Sequence, residues 1–375
     1  MKIIGIIAEY NPFHLGHKYQ IDKIKEMYKD SIIIAIVSSC FTERGDISIL
    51  NKWDKTKICL DNDIDLVIEL PTLYSTQSAD IFAKYAIKIL NELKINILAF
   101  GSETNDIELL KRMAEIQLYN KEYDELVKKY IDEGMNYPTA TSKALNKLCN
   151  NKIEKPNDLL ALSYIKEIIK NKYEITPLSI KREDNYHSKK TINKYASANL
   201  IRTMYQNNEN IRELIPKDTE KYYYKVSMES CYKYLKYKIE SENDISNYLS
   251  IEEGIDKRIK KYISESKSWN ELVSNVKTKR YTYNRVNRIL LHILLNIKKE
   301  NNNKEPYIKI LGFNSKGRTH LNNIKKKTNL RIFTKYKSNT NEVLDIENTC
   351  TKIYSIIVND NELIKKEYKQ KPIIK

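Results

Sequence analysis

The chain opens on a short, almost unbroken β-branched run, Lys2-Ile3-Ile4-Gly5-Ile6-Ile7-Ala8. Apolar and polar residues do not alternate in it, so neither face can look at water. Such a run suits a strand buried on both sides, as in a parallel sheet covered by helices. It ends in a turn signal, Glu9-Tyr10-Asn11-Pro12, and Leu15, Tyr19, Ile21, Ile24 and Met27 then follow at helical spacing. Ser31 to Val37 reads as a second buried strand, Asp65 to Leu70 as a third closed by Pro71, and Ile95 to Phe100 as a fourth before Gly101-Ser102. Between the last two, Ala79 to Leu93 keeps a helical period. Strand and helix alternate, which predicts an α/β fold with a doubly wound parallel sheet. Ligands of such sheets gather at the carboxyl ends of the strands. The segments after strands one and four are therefore the places to look for chemistry.

The first of these holds two of the chain's five histidines, His14-Leu15-Gly16-His17. This HxGH string falls between the first strand and the first helix. A helix start favours anions through its unpaired N–H groups and partial positive charge. Gly16 lets a nucleotide lie close to the backbone. The two imidazoles can donate to phosphate oxygens and offset the charge that builds when pyrophosphate is displaced. The string alone is short enough to arise by chance. Its place directly behind a buried strand makes it a nucleotide site, with His14, Gly16 and His17 as the catalytic candidates.

From about 105 to 170 the pattern is helical, and Pro177 to Ile180 reads as one more strand. Beyond about 205 tyrosine, lysine and asparagine rise and strand signals fade. Val286, Ile289, Leu290, Ile293, Leu294 and Ile297 mark a helix over 281–297, and Tyr307 to Leu311 is strand-like. The predicted division is a catalytic domain over 1–205 and a mainly α-helical, basic domain over 206–375. The formal charge of the chain is +16, and it is unevenly spread. Residues 1–100 hold 12 Lys and Arg against 13 Asp and Glu, whereas residues 277–338 hold 17 against 2, a net of +15. A lysine-rich genome would raise lysine everywhere. A concentrated basic stretch fits a polyanion such as nucleic acid. No apolar run reaches the roughly 18 residues of a membrane helix, and the start does not read as a signal peptide. Five cysteines, Cys40, Cys59, Cys149, Cys231 and Cys350, stand far apart without CxxC spacing, which argues against a zinc ribbon or a disulfide scaffold. A cytoplasmic location is the simplest expectation, and no stable protein partner is inferred.

The residues in combination resemble the bacterial tRNA(Met) cytidine acetate ligases, within the HxGH nucleotidyltransferase-like superfamily. The likeness runs through Gly5 to His17, Arg44-Gly45, Asn51-Lys52-Trp53, Asp65 to Pro71, Phe100-Gly101-Ser102-Glu103, Pro156-Asn157, and Arg182 with Tyr186-His187. It continues in Ser197-Ala198-Asn199-Leu200-Ile201-Arg202, in Lys279-Arg280-Tyr281-Thr282 with Arg288, in Leu290 to Leu295, and in Leu311-Gly312-Phe313 with Gly317-Arg318. It covers nearly the whole chain.

The resemblance implies an ATP-dependent ligase that activates acetate as acetyl-adenylate and passes the acetyl group to the wobble cytidine of elongator tRNA(Met), giving N4-acetylcytidine. It assigns ATP to the segment Ile7, Ala8, Glu9, Tyr10, Asn11, Pro12, Phe13, His14, Leu15, Gly16, His17, Lys18, Tyr19 and Gln20, and to Gly101, Asn157 and Arg182. Ser197 and Arg202 are further candidates for phosphate oxygens. Lys279, Arg280, Arg285, Arg288, Lys316 and Arg318 are the candidates for the RNA backbone. Mg²⁺ is expected with ATP, and no dedicated metal ligands stand out. An aromatic amine is a poor nucleophile, so an activated acyl donor makes chemical sense, and the target base has to be unstacked to reach it. The chain departs from the family pattern at Ser38-Ser39-Cys40-Phe41, at Glu43 and at Asn199, positions that bear on the acyl acid more than on ATP. Two other readings compete. One is a nucleotidyltransferase acting on a small phosphorylated or pyridine substrate, which has no need of the basic stretch. The other is a non-catalytic RNA-binding protein, against which the intact His14, Gly16 and His17 speak.

Overall fold

The computed structural model describes residues 1–149, 155–182, 195–252 and 254–375. The sequence runs become strands where expected: β1 (Lys2–Ala8), β2 (Ser31–Ser38), β3 (Leu66–Leu70), β4 (Ile97–Ser102) and β5 (Thr176–Lys181). They pair in parallel in the order β5-β4-β1-β2-β3. Every residue of β2 and β3 is buried, as their lack of alternation requires. Chain order reverses between β1 and β4, and a crevice opens at such a switch point beyond the carboxyl ends of the strands.

The helices over this sheet are α1 (Leu15–Met27), α2 (Lys52–Asp61), the single turn α3 (Thr72–Ser75), α4 (Ala79–Glu92), α5 (Ile107–Tyr119), α6 (Lys121–Asp132), α7 (Tyr137–Cys149) and α8 (Pro156–Lys170). After β5 comes α9 (Ala198–Gln206), followed by a helical group of α10 (Met228–Ser241), α11 (Ile255–Glu265), α12 (Trp269–Val276) and α13 (Tyr283–Leu294). In α13 the apolar positions face inward, and Val286, Ile289, Leu290 and Ile293 are wholly buried.

The chain then returns to the sheet. β6 (Ile308–Phe313) adds antiparallel to the edge of β3, and β7 (Ile332–Phe333) and β8 (Ile373–Ile374) both pair with β6, so the sheet has eight strands. Between them lie α14 (Ser315–Ile324), α15 (Glu342–Val358) and α16 (Glu362–Lys369). The residues after 205 thus form two structural groups: a helical one, and a second that completes the sheet begun by the first half.

A buried charge cluster fastens this second group. Lys52 of α2 reaches Glu69 of β3 at 2.6 Å and Glu367 of α16 at 2.7 Å, all without solvent exposure. Lys309 of β6 also pairs with Glu367, Tyr307 donates to Glu69 at 2.7 Å, and Glu347 of α15 accepts the Thr72 N–H at 2.6 Å. Burial raises the pKa of Glu367, but Lys309 and Lys52 outweigh it and bring it to about 2. Burial and the Glu69 carboxylate raise that of Glu347, against the pull of Lys52.

Candidate active site

The backbone leaves β1 through Tyr10, whose φ of 46° lies in the left-handed region. Asn11 pins the turn from beneath, because its Oδ1 accepts the Ile49 N–H at 2.9 Å. His14 then caps α1. Its Nδ1 accepts the Gly16 N–H at 3.1 Å, and the Nδ1 of His17 accepts the His14 N–H at 3.2 Å. The two rings lie close, with centroids 3.7 Å apart and planes tilted by 31°. Gly16 is required by this cap, since a Cβ there would stand 2.9 Å from the His14 ring. With both Nδ1 atoms accepting, each ring carries its proton on Nε2 and is a donor there. Burial holds the pKa of His17 well below the usual histidine value, and His14 and Arg182 add to this, so its ring stays neutral.

The helix start itself differs from the expectation of unpaired N–H groups. Leu15 N–H donates to Leu214 O at 3.0 Å, Gly16 N–H to the His14 ring, and His17 and Lys18 N–H to His14 O at 2.9 and 3.2 Å. The side-chain cap has taken what the backbone had to offer. Phosphate recognition therefore falls to imidazole Nε2–H groups and the helix dipole.

The histidines open onto a cleft of about 770 Å³, within the range of small-molecule sites. Of the expected nucleotide residues, Ile7, Ala8, Glu9, Tyr10, Asn11, His14, His17, Gln20, Gly101, Asn157, Arg182, Ser197 and Arg202 line it. Gly16 and Tyr19 line a smaller hollow beside it, with His17, Gln20, Gly101 and Arg182 again. Phe13 is buried in the core, and Leu15 is turned to the Leu214 segment. Pro12 is not on the cleft wall, and Lys18 pairs with Asp22 and Asp63 away from it. Tyr186 and His187 lie outside the described residues.

Several of these side chains are already engaged. Glu103 accepts the Asn157 side-chain amide at 2.7 Å, which sets Asn157 at the mouth of β4. Ser197 caps α9 by accepting the Leu200 N–H at 3.2 Å. Arg202, expected to serve phosphate, donates to Asn11 O at 2.6 Å and so braces the turn before His14.

Of the far wall, the sequence points only to Glu43 and Arg44, through the family resemblance. Glu43, Arg44, Asp80, Gln117, Tyr137, Tyr164, Lys166 and Tyr283 reach the cleft from the segment after β2 and from α4, α5, α7, α8 and α13. Glu43 pairs with Arg288 at 2.9 Å, and Asp80 with Lys166 at 2.5 Å. Gly45 lets α13 close on this wall: its φ is 80°, and a Cβ would stand 2.8 Å from the Arg288 nitrogen.

The RNA candidates divide in space. Arg288 lines the cleft, and Arg285 follows Thr282 on the same helix, paired with Glu252 at 3.1 Å. Lys279 and Arg280 are exposed just before α13, where Asn136 donates to Lys279 O at 3.4 Å. Lys316 and Arg318 are exposed on α14, whose first turn stands against Asp65 at the amino end of β3. That is the amino end of the strands, opposite the carboxyl end at which His14 stands. Lys309 is buried in the charge cluster. The linear basic stretch is therefore not one face. Among the described residues, no helix is long and apolar enough to cross a membrane.

A mainly parallel sheet with the paired HxGH imidazoles at its switch point defines a nucleotidyl-transfer fold. The model of the family described as HIGH Nucleotidyl Transferase matches residues 1–371. A tRNA(Met) cytidine acetate ligase of Clostridium novyi is 37% identical over 399 residues, covering 100% of this chain and 99% of that protein. One of Caldicellulosiruptor saccharolyticus is 36% identical, with 100% and 98% covered. The crystal structure of Thermotoga maritima TmcAL in its apo form superposes with a TM-score of 0.91 at 28% identity, and the one bound with alpha-thio ATP with 0.88 at 29%, each covering 100% of this chain and 99% of the other. The chain belongs to the tRNA(Met) cytidine acetate ligase family.

Proposed function

We propose that this protein binds ATP at the HxGH cap, joins acetate to it as acetyl-adenylate, and transfers the acetyl group to the wobble cytidine of elongator tRNA(Met). The observation that carries the reading is the pair of imidazoles held 3.7 Å apart on a cleft of about 770 Å³. Acetate attacks the α-phosphorus and pyrophosphate leaves. The Nε2–H groups of His14 and His17 donate to the phosphate oxygens whose charge grows, with no change of protonation. The carboxylate is already anionic at neutral pH, so no covalent enzyme intermediate is needed. Magnesium enters as part of the Mg·ATP substrate, held by phosphate oxygens and water. Among the described residues there is no cluster of His, Cys, Asp and Glu to hold it by protein alone.

Family membership supports this reading over a small-molecule nucleotidyltransferase, as do the cations of Lys279, Arg280 and Arg285 beside the cleft. The test is labelled pyrophosphate exchange into ATP with acetate, paired with mass-spectrometric detection of N4-acetylcytidine in tRNA(Met). Exchange dependent on acetate and acetylation dependent on ATP are expected. Acetylation without exchange would remove the adenylate step, and neither activity would sink the reading.

A further inference from the structure

Transfer of the acetyl group to an exocyclic amine leaves a proton to remove, and the histidines are poorly suited to take it. Both Nδ1 atoms accept backbone N–H groups, and both Nε2 atoms already carry hydrogen. The base has to come from elsewhere on the cleft. Three carboxylates line it among the described residues: Glu9, Glu43 and Asp80. Glu43 is paired with Arg288 and Asp80 with Lys166, so each of these carboxylates already holds a cation.

Glu9 makes no ion pair among the described residues. It is the first residue beyond β1, half-buried on the cleft wall, five positions ahead of His14. One oxygen, Oε1, accepts the Glu43 N–H at 2.6 Å, which fixes the carboxylate in place. Its second oxygen has no hydrogen bond among the described residues. Burial raises the pKa of Glu9; the Glu43 N–H lowers it, the Glu43 carboxylate raises it, and Arg44 and Lys55 lower it. The Tyr164 hydroxyl also faces this pair, its own pKa raised by burial and by Glu9 and Glu43. Lys55 donates to Ser38 O and Ser39 O at 2.7 and 3.1 Å, and burial lowers its pKa to about 8.

We propose that Glu9 is the general base of the acyl-transfer step, a role that rests on the acetyl-adenylate reading above. A carboxylate accepts naturally from cytosine N4, so the same oxygen orients the amine and deprotonates it. The N4 lone pair attacks the acetyl carbon and the C–N bond forms. The bond from that carbon to the phosphate oxygen breaks, its electron pair leaves with AMP, and the N4 proton passes to Glu9. The adenylation half-reaction has no proton to remove, so it does not use Glu9 as a base.

The test separates the two half-reactions in Glu9→Gln. Single-turnover acetylation of tRNA(Met) is expected to fall by roughly 10²-fold more than acetate-dependent pyrophosphate exchange, whose own change reports the place of Glu9 against ATP. The fall in wild-type transfer rate at acid pH is expected to disappear in the variant, and Glu9→Asp is expected to restore part of the rate and that pH dependence. Retained exchange shows that the variant is folded. Transfer within about threefold of wild type with an unchanged pH profile overturns the role, and so does equal loss of exchange and transfer. Absence of exchange in the wild type instead overturns the adenylate reading, and the base with it.

Discussion

Lys52 and Glu69 meet at 2.6 Å with neither side chain exposed, and this contact ties the first helix after β2 to the strand that receives the C-terminal part of the chain. A lone buried charge is far costlier than a buried pair. Lys52→Met strands Glu347 and leaves Glu69 and Glu367 to share Lys309, and is expected to cost about 3–5 kcal/mol in urea denaturation. A loss under about 1 kcal/mol would show that the cluster adds little.

His292 of α13 is wholly buried, with Nδ1 3.3 Å from Leu249 O and Nε2 3.0 Å from Thr76 O. Burial lowers its pKa from 6.5 to about 4. The unfolded chain takes up this proton first, so the stabilisation is complete above pH 6.5 and is lost as pH falls from 6.5 to 4. The difference is roughly 3 kcal/mol. His292→Gln is expected to flatten this part of the stability–pH curve relative to wild type. Parallel curves would remove His292 as a source of acid sensitivity.

Removing either imidazole takes a donor from the growing phosphate charge. His14→Ala is expected to slow pyrophosphate exchange by about 10²-fold or more. Near-normal exchange would take His14 out of the mechanism. Gly16→Ala leaves both rings but displaces the cap, because its Cβ would stand 2.9 Å from the His14 ring. It is expected to slow exchange while leaving thermal stability nearly unchanged.

Cations bound to RNA phosphates betray themselves by salt dependence. Replacing Lys279 and Arg280 together by Gln is expected to weaken tRNA binding and to lower the slope of log affinity against log salt by roughly 1–2. The same change at Lys316 and Arg318, at the amino end of the strands, is expected to leave that slope nearly intact. Equal effects of the two pairs would mean that RNA reaches both ends of the strands.

The strands and the HxGH cap were legible because their signals are local. A strand buried on both faces has to be apolar throughout, and a helix start after it has to be capped by its own next few residues. Tyr307 to Leu311 could likewise be read as a strand. Its partner could not, because the antiparallel joining of β6 to β3 depends on residues more than 200 positions apart. The free N–H groups expected at α1 were misjudged because nothing in the string says that His14 turns its own ring back onto Gly16.

The sequence by itself determined that a parallel α/β sheet would form and that two imidazoles would stand at the end of its first strand, since periodicity and short-range hydrogen bonding follow from neighbours along the chain. Only the tertiary structure decided which charges are available. It buried Lys309 among glutamates, turned Arg202 onto a backbone carbonyl, paired Glu43 with Arg288 and left Glu9 without an ion pair among the described residues. The physical reason is that burial and ion pairing set the state of a charge, and both depend on segments that folding brings together from far apart.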